Sequence, residues 1–144
     1  MVVQLRAHAV AVAMTLLPSV AIAVVALVTA SGVTRLDEYN YRTEFVHEGW
    51  WMLAWVLPVL VGVATWWWPR AALLAGTCAL APQFLVGLVV VWRYRAFGWS
   101  DGLEIFVFLY PSLLAVLCAA VYGLAEWLRS VRSRPNGVTN RAGR

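Results

Sequence analysis

The chain has no lysine, only two histidines, two cysteines and seven carboxylates, and its 11 basic residues are all arginine. Each shortage excludes something. Cys78 and Cys118 both sit inside apolar stretches and no CxxC occurs. A disulfide framework in exposed loops and a thiol-redox centre are therefore not expected. His8 and His47 are the only histidines and are expected on opposite sides of the membrane, so an imidazole-rich metal set has no source. Nucleophilic or acid–base catalysis needs His, Glu, Cys or Ser with partners in reach. The groups on offer, Glu44, His47, Glu48 and Asp101, define no reaction. Nucleic acid is not an expected partner either, because the arginines flank apolar stretches rather than interleaving with aromatics on a polar fold.

What is present in abundance is apolar sequence. Residues are 62% hydrophobic and 12% charged, where a soluble domain carries about 45–50% apolar residues. Four apolar runs, 9–30, 50–68, 71–92 and 103–128, make up nearly the whole chain. A run of about 18 residues suffices to cross the hydrocarbon core of a bilayer as a helix. The first three runs hold no charge, and the fourth only Glu104 and Glu126 near its ends. These features predict an all-α membrane protein: four transmembrane helices in a compact up-down bundle filling residues 1–128. A basic tail, 129–144, follows and is expected to be disordered.

Arginine placement predicts the orientation. Arg6, Arg70 and the five arginines after residue 128 fall on one side of alternating spans, and Arg35, Arg42, Arg93 and Arg95 on the other. The side richer in basic residues stays cytoplasmic, which puts both termini on the cytoplasmic face of a cell membrane and the loop 31–49 outside. Arg6 and the small residues near Ala30 resemble parts of a signal peptide. The apolar stretch from Ala9 exceeds the h-region of about 7–15 residues, so a retained helix is expected. Trp50 and Trp51 open the second run and Trp66, Trp67 and Trp68 close it, as expected of indoles at the two headgroup levels.

Inside the spans, each run carries one proline: Pro18, Pro58, Pro82 and Pro111. Mid-helix, each would free the carbonyl four residues earlier, those of Met14, Ala54, Cys78 and Val107, and bend its helix. Such acceptors are ordinarily satisfied by neighbouring groups. Gln83 is the one strongly polar side chain in mid-run and is expected to hydrogen-bond another helix. Ala115, Ala119 and Gly123, with Ser112 close by, recur at four-residue spacing, as do Ala72 and Gly76, and Ala75 and Ala79. Small faces of this kind let membrane helices approach closely. The second and third runs, joined by Pro69-Arg70, are expected to form a tight antiparallel hairpin.

Outside the spans, 34–49 is the longest polar stretch between runs. Glu44, His47 and Glu48 have helical spacing, and Tyr39, Tyr41 and Phe45 accompany them. This predicts a partner-binding or interfacial loop, with Gln83 as a further weak candidate inside the membrane. Asp101 and Glu104 have the spacing of a capping box for the last helix.

The functional expectation is a non-catalytic integral membrane accessory or assembly subunit of a larger respiratory, secretory or transport complex. Its partners would be membrane lipids and other integral membrane proteins, with self-association possible in principle; no cofactor or metal is called for. The alternative is a small homo-oligomeric transporter or channel. The four short runs resemble the small multidrug exporters in layout. Those depend on a membrane-embedded Glu in the first helix, where this chain has no charge.

Overall fold

The computed structural model describes residues 2–38, 40–98 and 102–133. The expectations for Tyr39, for Asp101 and for the tail beyond Ser133 fall outside these residues. The described chain is nearly all helical, with four helices long and apolar enough to cross a membrane. Helix α1 is Val2–Val28 and a two-stranded hairpin follows, β1 Gly32–Arg35 and β2 Tyr41–Glu44. The second span is composite: α2 Glu48–Met52, a 3-10 turn Leu53–Val56, then α3 Leu57–Trp67. A 3-10 turn at Pro69–Ala71 leads into α4, Ala72–Ala96, and a further one at Leu103–Phe108 leads into α5, Leu109–Arg132.

Helices α1, α4 and α5 overrun the apolar sequence at one end. Arg6 lies in α1, Arg93 and Arg95 in the last turn of α4, and Arg129 and Arg132 in that of α5. Arginine is a good helix former, and continuing the helix keeps backbone groups paired as the chain leaves the apolar layer. Residues 129–132, expected as the start of a disordered tail, are therefore helical.

The prolines divide into two kinds. Pro18 and Pro82 lie within α1 and α4. Pro58 instead occupies the first turn of α3, and Pro111 is the third residue of α5. Both follow 3-10 segments, so their missing N–H falls where a helix start has no partner for it. The carbonyl of Ala54, expected to be freed by Pro58, accepts the N–H of Leu57 instead. The capping-box expectation also changes. The residue preceding the 3-10 turn is Gly102, at φ 83°, a left-handed conformation that glycine adopts without strain. Glu104 turns to Arg95, with Nε to Oε1 at 3.0 Å.

Packing does not follow chain adjacency. The most extensive contacts join α1 to α4 and α3 to α5. Hydrogen bonds from Thr15 to Ala75 and from Ser19 to Ala79 advance in step along the first pair, so α1 and α4 run parallel. Leu57 and Val61 of α3 pack with Leu114 and Cys118 of α5, again parallel. Helices α3 and α4, although joined directly, share a smaller surface. The tight hairpin expected of them is secondary to these longer-range pairs.

Side-chain size explains the choice. Ala11, Thr15, Ser19 and Ala23 recur every four residues on α1 and are all buried. They meet Ala75 and Ala79 of α4, likewise buried. Two faces without bulk bring the backbones close enough for hydroxyls to reach carbonyls of the other helix. Without a hydrophobic drive between helices in lipid, such close packing and interhelical bonding favour association. In the α3–α5 pair, Gly62 allows the approach, because a Cβ there would stand 2.7 Å from Val121 Cγ1.

Candidate functional site

The interior polar cluster starts from Gln83. Its Nε2 donates to the Ser19 carbonyl at 3.0 Å and to Ser19 Oγ at 2.8 Å. Ser19 Oγ in turn donates to the Ala79 carbonyl at 2.5 Å. Trp51 Nε1 donates to Gln83 Oε1 at 3.0 Å, and Tyr110 Oη donates to the Trp51 carbonyl at 2.7 Å. The Trp51 and Tyr110 rings lie 4.5 Å apart. Gln83 thus ties α1, α2 and α4 together, and Tyr110 attaches α5. Both ends of the amide are engaged, as a buried polar group requires where water cannot substitute.

This placement assigns Trp51 differently from the sequence expectation. It is buried and works as a donor inside the chain, while its neighbour Trp50 is exposed. Gln83, with no exposed surface, is internal glue and not a surface that a partner meets. The tryptophan adjoining a span end and the glutamine in mid-span were both visible in sequence, but their pairing across 32 residues was not.

The outer segment is a hairpin, with Gly32 opposite Glu44 and Arg35 opposite Tyr41. Glu44, His47 and Glu48 consequently do not share a helix face. Glu44 ends β2, His47 precedes α2 and accepts the Trp50 N–H through its side chain, and Glu48 begins α2. Glu44 accepts the hydroxyl of Ser31. That bond holds its carboxyl below the ordinary carboxylate range, helped by the Ser31 N–H, His47 and Arg42 against a desolvation penalty. Phe45 and Val46 are buried in a cluster with Ala23, Ala26, Trp51, Val86 and Val90. The Phe45 ring also stands 5.9 Å from Tyr94 and 5.6 Å from Phe97. Arg93 Nη1 donates to the carbonyls of Leu27 at 3.2 Å and Phe45 at 2.9 Å. Phe45 therefore docks the hairpin onto its own helices, which leaves Tyr41 and Glu48 as the exposed members of the expected set among the described residues. Among the described residues, no group of three His, Cys, Asp or Glu is placed to hold a metal.

The small-residue faces separate cleanly. On α4, Ala75 and Ala79 face α1, whereas Ala72 and Gly76 line a groove toward α5. On α5, Ser112, Ala119 and Gly123 are exposed and Ala115 is half-buried; a Cβ on Gly123 would meet nothing within 4 Å. Of the four spans, α5 is the least covered: 17% of its most apolar window is buried, against 28–39% in the others. A shallow apolar groove of about 240 Å³ runs between α4 and α5, floored by Val61, Ala72 and Cys118.

Four apolar helices with an interior of this kind suggest a multi-pass membrane protein. No family model, curated protein or solved structure matches the chain, so its functional reading rests on geometry.

Proposed function

We propose that the chain is a non-catalytic accessory or assembly subunit of a larger complex in the cell membrane. It would be a compact up-down bundle with both termini cytoplasmic, and α5 would dock a helix of another integral membrane protein. The observation carrying this reading is the exposed small-residue face of α5. The small residues Ala11, Thr15, Ser19, Ala75 and Ala79 are matched between α1 and α4, whereas on α5 Ala119 is exposed and a Cβ on Gly123 would meet nothing within 4 Å among the described residues. The interior supports it as well. Thr15, Ser19, Gln83 and Trp51 hydrogen-bond one another or backbone carbonyls, which directs attention to the outer surface. The arginine distribution supports the orientation.

The test is photo-crosslinking in native membranes with benzoylphenylalanine at position 119 or 123, and at buried position 79 as control. A discrete heterologous adduct at 119 and 123 but not at 79 is expected, and Gly123→Leu should prevent recovery of that partner in mild detergent. Adducts of twice the chain mass alone would instead favour the homo-oligomeric alternative. Absence of adducts at 116, 119 and 123 would refute the docking face.

A further inference from the structure

At the end of the molecule away from the hairpin, the start of α1, the 3-10 turn at Pro69–Ala71 and the last turns of α5 enclose a cleft of about 670 Å³. Trp67, Trp68 and Tyr122 supply aromatic walls, and Arg70 and Arg129 supply cations. His8 and Glu126 also line it. A second cleft of about 470 Å³ shares Glu126 and Arg129 and adds Trp66 and Arg132. The two adjoin at Arg129 and Glu126, which line both, and together they present three arginines against the one carboxylate of Glu126.

We propose that these adjoining clefts form a binding site for the head group of an anionic phospholipid, whose phosphodiester sits at Arg129, with Arg70 lining the larger cleft on one side and Arg132 the smaller on the other. Arg129 is already oriented for the task. Its Nη1 donates to Glu126 Oε1 at 2.6 Å and to the Thr65 carbonyl at 3.4 Å. Both bonds leave from one nitrogen, so the guanidinium is fixed while its other donors are not committed to them. Planar guanidinium is suited to paired hydrogen bonds with phosphate oxygens. The excess of cations favours a head group of net negative charge over a zwitterionic one.

A lipid is favoured over a free anion by the position of the cleft. Trp66 and Trp67 are exposed at the end of an apolar span, and indoles there lie at headgroup level with their faces against glycerol and upper acyl chain. Basic pockets between helices at this depth recognise anionic lipid head groups. The site uses residues distinct from the α5 face proposed for partner docking, and neither claim depends on the other.

The experiment is native mass spectrometry of the full chain released from nanodiscs of equimolar phosphatidylglycerol and phosphatidylcholine. Retained adducts should be predominantly phosphatidylglycerol. Arg70→Gln and Arg132→Gln alter exposed side chains and should each lower retention roughly fivefold, from the attraction of one basic residue near the surface. Arg129→Gln should do at least as much. Arg35→Gln, in the hairpin at the far end, should change nothing. Equal retention of the two lipids, or equal losses at Arg35 and Arg70, would overturn the site. Displacement of the lipid by millimolar inorganic phosphate would overturn its assignment to a lipid.

Discussion

Replacing Gln83 by leucine tests the account of what holds the helices together. Leucine preserves most of the side-chain volume, so little cavity forms and the loss is mainly polar. Three interhelical hydrogen bonds disappear: two from Nε2 to Ser19 and one from Trp51 Nε1 to Oε1. At about 0.6 kcal/mol each, the average measured between membrane helices, they amount to about 2 kcal/mol. The Trp51 indole N–H is left buried without its acceptor, at about 1–3 kcal/mol more, partly offset if the ring rotates toward another acceptor. The expected destabilisation is therefore about 2–4 kcal/mol. It can be read from reversible unfolding in mixed micelles of dodecyl maltoside and increasing SDS. Pairing Gln83→Leu with Trp51→Phe in a double-mutant cycle should give a coupling energy of about 0.6–1.7 kcal/mol. Unchanged unfolding in Gln83→Leu, or strictly additive effects in the cycle, would refute the role assigned to this network.

Three further outcomes follow from the packing and the hairpin. Gly62→Leu drives a side chain into Val121 and should destabilise the isolated chain by about 1–3 kcal/mol, whereas Gly123→Leu, facing open space, should leave its unfolding unchanged; the same micelle assay separates them. Arg93→Gln removes a charged donor to two carbonyls and should weaken hairpin docking by about 1.5–3 kcal/mol, seen as faster amide exchange across 32–46 with α5 unaffected. Glu44 has a folded pKa below its ordinary value; its contribution to the hairpin is therefore fully present above that ordinary value and lost as pH falls through the lowered one. Protection factors in 32–44, taken relative to the intrinsic exchange rate at each pH, should fall only under those acidic conditions, and Glu44→Gln should abolish the acid dependence.

Particular elements show where sequence reasoning stopped. The four spans are legible because crossing a bilayer depends on the composition of about 20 consecutive residues, which is a local property. The α4 stripe was legible from spacing. The equivalent Ala11–Thr15–Ser19–Ala23 stripe on α1 has the same period but lies among other small residues, which mask it in the sequence. Phe45, expected on an outer surface, is buried: an aromatic beside a span suits an outer surface or its own core equally, and Ala23, Val86 and Val90 beneath it decide. Glu44, His47 and Glu48 have helical spacing, yet β-pairing with Gly32–Arg35 overrides it.

Sequence by itself determined that apolar helices dominate this protein, which four stretches of the chain form them, and that those stretches are poor in ionisable groups. Those properties follow from transfer energies summed along the chain. Tertiary structure decided that α1 seeks α4 rather than its neighbour in sequence, that Gln83 bonds Trp51 and Ser19, and that the small face of α5 is left uncovered. Each of these depends on which surfaces fit closely in three dimensions, because lipid solvates every apolar face alike and leaves shape and hydrogen bonding to choose among partners.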